Sequence, residues 1–94
     1  MKSLIQKLVE ATGPSGYESQ VRELIRTEIE AYADDIQTDK LGNLIVRKGT
    51  NQADGLKIML SAHMDEIGLI VTHIDENGFL RFTNLGGVRG YNHI

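Results

Sequence analysis

The spacing of apolar residues changes several times along the chain, and each change marks an element. Leu4, Ile5, Leu8 and Val9 recur at the three- and four-residue spacing of a helix face. Ser3-Leu4-Ile5-Gln6 has the form of a capping box, in which side chains satisfy the free N–H groups of a first helical turn. Together they predict a helix over about residues 4–11. Gly13-Pro14 ends it, because glycine accepts a left-handed exit and proline cannot continue the hydrogen-bond ladder. A second box, Ser15-Gly16-Tyr17-Glu18, opens a second helix whose apolar face is Val21, Leu24, Ile25, Ile29 and Tyr32, extending to about Ala33. Its other face carries Glu18/Arg22 and Arg26/Glu30, solvated pairs worth roughly 0.2–0.5 kcal/mol each.

From Ile36 the period is that of extended chain. Ile36 and Thr38 form a short strand, Asp39 to Asn43 a turn containing Gly42, and Leu44-Ile45-Val46 a second strand. Gly49 to Gly55 is a polar surface loop. The almost unbroken apolar run Ile58 to Ala62, entered at Lys57, reads as a strand covered on both faces. Leu69 to Ile74 and Phe79 to Leu85 flank Asn77-Gly78, the pattern of a hairpin over residues 69–85 with a type I′ turn, which needs positive φ at both central residues. Helices followed by strands give an α/β class upstream, and local hairpin pairing places a change of architecture near Gly68 to Leu69. The tail from Gly86 to Ile94 has neither period.

Composition narrows the functional classes. The 94 residues carry a net charge of −3 with Lys and Arg dispersed, so no basic stripe recommends nucleic acid or an anionic membrane as partner. There is no cysteine, hence no disulfide framework and no thiolate metal site. Met1 to Thr12 lacks the apolar core of a signal peptide, and no run approaches the ~20 apolar residues of a membrane span. A cytoplasmic protein is the expectation.

The strand-like run ends in His63-Met64-Asp65-Glu66, where an open α/β sheet usually delivers its chemistry. On extended backbone, residues i and i+2 point the same way, so Asp65 can accept one ring N–H of His63 and leave the other nitrogen for a metal ion. A plain ion pair at a strand end has the same pattern. His73-Ile74-Asp75 repeats the spacing, but there the histidine lies within a hairpin strand and the aspartate opens its turn. Glu66 should point away from Asp65, which disfavours a glycosidase pair of facing carboxylates. His93 receives no role. Gly13-Pro14-Ser15-Gly16 lacks the Lys-Ser/Thr of a phosphate loop and reads as a connection between helices.

Four runs together carry a resemblance: Ala11 to Glu18, Asp39 to Leu44, Ser61 to Gly68, and Gly78 to Phe82. In order and spacing they resemble the start of the M42 metallo-aminopeptidases, a family that takes in glutamyl and tetrahedral aminopeptidases and chains long labelled endoglucanase. The resemblance runs from the first helix to about Gly87. It implies a hydrolase that removes N-terminal residues from peptides with two divalent ions, zinc or cobalt, and a metal-bridging water as nucleophile. His63 falls on the family's first metal ligand and Asp65 on the aspartate that orients it.

The resemblance also implies domain organisation. Residues 1–68 correspond to the N-terminal part of a mixed-sheet α/β peptidase domain, and 69–94 to the beginning of an inserted β domain used in dimer contacts. Family members are several times longer, and their remaining metal ligands and general base lie downstream. The chain is therefore expected to be an amino-terminal fragment, inactive alone, completed by the remainder of the catalytic domain or by another chain. A homo-oligomer is expected, twelve-subunit shells being common in the resembled family. A non-catalytic interaction module, pairing through exposed sheet edges, is the alternative, and glycan hydrolysis ranks last.

Overall fold

A computed structural model describes residues 1–49 and 54–87. Two helices lead into two separate antiparallel sheets, each of two strands, in an α/β arrangement. Helix α1 spans Lys2–Glu10 and α2 spans Ser19–Ile29, with a 3₁₀ turn, Glu30–Tyr32, completing the second helix close to its expected end. Leu4 and Leu8 are half-buried, whereas Ile5 and Val9 of the same predicted face are exposed. An exposed link joins the helices, Lys7 Nζ donating to Glu28 Oε1 at 2.7 Å.

Neither capping box forms. Helix α1 starts from Met1 and α2 from Glu18, in both cases without a side-chain cap. At the second helix the box is displaced: residues 14–17 form a turn in which Tyr17 N–H donates to the Pro14 carbonyl at 2.8 Å, and the helix begins only at Ser19. Ser15 Oγ donates to the Asp65 carboxylate, and Glu18 Oε1 accepts from Gly16 N–H at 2.5 Å.

Strands β1 (Asp35–Thr38) and β2 (Leu44–Arg47) pair with Ile36 opposite Val46 and Thr38 opposite Leu44. Strands β3 (Gly68–Ile74) and β4 (Leu80–Leu85) form the expected hairpin, with an irregularity between Val71 and His73. The connecting turns are built alike. In the first, Gly42 N–H donates to the Asp39 carbonyl and Asp39 N–H to the Asn43 carbonyl, both at 3.1 Å. In the second, Gly78 N–H donates to the Asp75 carbonyl and Asp75 N–H to the Phe79 carbonyl, both at 3.0 Å.

Gly42 and Gly78 have φ of 88° and 84°, and no other type of residue among those described has positive φ. This is a type I turn closed by a left-handed glycine, so the type I′ expectation at Asn77-Gly78 is corrected. The aspartates decide it. Asp39 Oδ1 accepts from the N–H groups of Leu41 and Asn43, and Asp75 Oδ1 from those of Asn77 and Phe79, all at 2.9 Å. Those bonds favour a right-handed start to the turn and leave only the glycine left-handed.

The larger correction concerns the run Ile58 to Ala62. It belongs to no strand, and Ile58, Met59 and Leu60 are 76%, 88% and 93% exposed. An apolar run becomes a buried strand only where neighbouring strands take its N–H and C=O groups. Among the described residues, every strand is already paired with its sequence neighbour. An open cavity of about 930 Å3 is bounded by the run, the end of α2 and β2, with Ile29, Leu44, Val46, Ile58, Leu60 and Ala62 among its lining.

Little is enclosed elsewhere. Val21, 6% exposed, is the one buried hydrophobic side chain among the described residues, and it is not fully enclosed. The radius of gyration is 18.1 Å, against roughly 12 Å for a compact chain of this length, so apolar surface stays open. No helix among the described residues is long and apolar enough to cross a membrane. The tail from Val88 onward, with His93, and residues 50–53 of the predicted loop lie outside the described residues.

Candidate functional site

The site is assembled at the far end of the unpaired run, where the chain meets the loop between the helices. Glu66 N–H donates to the Gly13 carbonyl at 2.9 Å, and Glu66 Oε1 accepts from Gly13 N–H at 3.1 Å. Pro14 and Glu66 form a parallel bridge. The loop is seated from below, since a Cβ added to Gly13 would stand 2.5 Å from Val21 Cγ2. Only glycine permits that approach. On the other side, a Cβ at Gly68 would stand 2.9 Å from Pro14 Cβ. The loop expected to be a simple connection is thus a clamp on Asp65 and Glu66.

Asp65 projects from this clamp with both carboxylate oxygens engaged. Oδ2 accepts from Ser15 Oγ–H, and Oδ1 lies 2.9 Å from His63 Nδ1. The same ring nitrogen is 3.1 Å from the Asp65 carbonyl oxygen. Both groups facing Nδ1 are acceptors, so Nδ1 carries the proton and, in the neutral ring, Nε2 carries the lone pair. The Ser15 hydrogen bond, followed by that of His63, holds the Asp65 carboxyl below the usual carboxylate range. The His63 side chain is 86% exposed and Asp65 37%, so the ring stands in solvent, steered by hydrogen bonds and not by packing.

A recess of about 150 Å3 opens beside the ring, lined by Glu18, Leu41, Asn43, Ala62, His63 and Asp65 among others. The β1–β2 turn forms one wall, and Arg22 Nη1 ties it to α2 by donating to the Gly42 carbonyl at 3.1 Å. Asp39 braces that turn. The side-chain and backbone hydrogen bonds from Asn43 lead in holding its carboxyl below the ordinary value of 3.8.

The structure brings His63 and Asp65 together, places Glu66 on the loop side, and leaves His73 in β3 opposite Arg81, with Asp75 spent on its turn. Ser15 and Gly13 are the site residues that pattern reading missed. Their signal was the resemblance itself, since both lie in its first run, Ala11 to Glu18.

A sequence profile of M42 glutamyl aminopeptidases matches residues 42–92, more than half of the chain. The chain belongs to the M42 glutamyl aminopeptidase family. The lysyl aminopeptidase of Pyrococcus furiosus is 45% identical over 87 residues, covering 90% of this M42 chain and 24% of the relative. Among solved structures, aminopeptidase APDkam598 from Desulfurococcus kamchatkensis is 42% identical with a TM-score of 0.84, covering 95% of this chain and 24% of that one. The dodecameric PhTET1-12s is 43% identical with a TM-score of 0.79, covering 95% of this chain and 26% of its own. The M42 chain spans about a quarter of the length of the curated relatives it matches.

A dinuclear centre can be tested against the donors present. His63 suits one ion: its Nδ1 is held by a carboxylate, the usual arrangement of a ligating histidine, and its Nε2 is open. Among the described residues, no group of three or more His, Cys, Asp or Glu side chains could hold a metal ion. The pair His63 and Asp65 therefore fits one ligand of such a centre and its orienting acid, and the described residues assemble no complete donor set.

Proposed function

We propose that this M42 chain carries the first ligand arm of an aminopeptidase that uses two divalent metal ions, zinc or cobalt. The observation that carries the reading is His63 Nδ1 at 2.9 Å from Asp65 Oδ1 with the rest of the ring in solvent. His63 would hold an ion through Nε2, and Asp65 would fix the ring's tautomer and aim. When bound, the ions supply Lewis-acid polarisation of a scissile carbonyl. The substrate class is peptides with a free N-terminal residue.

Residues 1–68 are assigned to the catalytic α/β domain and 69–94 to the beginning of an inserted β domain, supported by the separate sheet that starts at Gly68. Further ligands would come from the remainder of the catalytic domain or a completing chain, and on this reading the 94 residues alone are inactive, which is supported by the chain's spanning about a quarter of its curated relatives. The protein works in the cytoplasm and as a homo-oligomer, the latter supported by the dodecameric solved relative. Exposure of Ile58, Met59 and Leu60 favours a second reading, a metal-independent association module. Glycan hydrolysis stays last, because Asp65 and Glu66 are bonded to different partners.

Cobalt titration followed by NMR tests the ligand assignment, with His73 as internal control. Co2+ should broaden the His63 ring signals before those of His73, and His63→Ala should remove that selectivity. Equal broadening at both rings would overturn it. Hydrolysis of leucine or glutamate anilides by the 94-residue chain with cobalt, lost on His63→Ala, would overturn the assignment of inactivity.

A further inference from the structure

His63 is unusual for a residue whose aim must be set: with 86% of its side chain exposed, almost no packing orients the ring. Direction has to arrive through its hydrogen bonds, and those at Nδ1 come from Asp65. A carboxylate held at one oxygen can turn about its Cβ–Cγ bond and present either oxygen, or neither, to the ring. Held at both, its plane is fixed. Ser15 Oγ supplies the second hold, on Oδ2, from a loop whose backbone is already bound to Glu66.

We propose that Ser15 is a positioning residue for His63, fixing the Asp65 carboxylate so that the imidazole keeps its proton on Nδ1 and its lone pair on Nε2. The proposal rests on the metal-ligand reading of His63 for its purpose, but not for its geometry. A chain of four groups runs from the covered Val21 through the Gly13–Ser15 loop and Asp65 to the ring. Of these, the serine hydroxyl is the link that a single small substitution removes while the Gly13–Glu66 backbone bond stays.

The test reads the tautomer directly. Long-range 15N–1H spectra of the full 94-residue chain, at a pH where the ring is neutral, give the ratio of Nδ1–H to Nε2–H forms at His63. Ser15→Ala should lower that ratio severalfold, and Ser15→Thr, which keeps a hydroxyl on Cβ, should restore it. His73 should not respond in either variant. An unchanged ratio in folded Ser15→Ala, or an equal fall in Ser15→Thr, would overturn the proposal.

Should Ser15→Ala lose its helix and hairpin signals, Ser15→Cys takes its place. A thiol is a weak donor of similar shape, and the ratio must again fall if the proposal holds. Cobalt is titrated into the same samples. A wild-type chain in which cobalt does not select His63 defeats the metal reading, while its tautomer ratios still decide the role of Ser15.

Discussion

His63-Met64-Asp65 and His73-Ile74-Asp75 are the same three-residue pattern ten positions apart, yet they become different objects. In the first, the carboxylate faces the histidine ring and a serine 50 residues away in sequence. In the second, the carboxylate turns forward and accepts the N–H groups of Asn77 and Phe79, so it closes a hairpin. A histidine and an acid two residues apart gain meaning from whatever else competes for the acid. Where a turn follows directly, backbone donors are closest and win; where the chain stays extended, the acid is left for distant partners.

Removing the clamp should break the first copy without touching the second. Gly13→Ala places a Cβ 2.5 Å from Val21 Cγ2, an overpacking that costs about 1–3 kcal/mol unless the loop shifts. Hydrogen exchange at the Glu66 amide, which donates to Gly13, should accelerate markedly while the β3–β4 amides keep their rates. Equal acceleration in both regions would mean that the two copies are mechanically joined.

The converse variant, Asp75→Ala, deletes an acceptor of two backbone N–H groups and should weaken the hairpin by about 1 kcal/mol. Faster exchange in β3 and β4 checks it. The His63 tautomer should stay as in the wild type, since Asp75 is not among its partners.

Asp39 sharpens the comparison by a smaller effect, because it builds the same kind of turn as Asp75, but in a turn whose Leu41, Gly42 and Asn43 line the recess beside His63. Its carboxyl is held below the ordinary value of 3.8 by Asn43. The folded value is lowered, so the contribution to turn stability is present above the unfolded value and lost as pH falls through the folded one. NMR shifts of the Leu41 and Asn43 amides should therefore titrate with a midpoint below 3.8. A midpoint at or above that value would show that the turn's bonds to the carboxylate are not kept in solution.

Local features of the fold were legible. Helical spacing found α1 and α2 to within a few residues, and turn residues found both pairs of strands. What failed was non-local. Ser15 stands in a sequence that reads as a helix cap, because the pattern reports nearby donors and is blind to a carboxylate 50 positions on. The run Ile58 to Ala62 announces that it would be buried, but hydrophobicity does not reveal where its pairing strands are. At the site, the spacing of His63 and Asp65 predicts their contact, while the loop that holds Asp65 in place reads in sequence only as the connection between helices that it also is.

The reach of the clamp has a temporal side. Every group that steers His63, from the Gly13 backbone to Glu66, is contained in the first 66 positions. A ribosome delivers a chain from its N-terminus, and segments begin to fold while later ones are still being made. The ring can therefore be aimed as soon as the first 66 residues have emerged, without waiting for the β3–β4 hairpin to form.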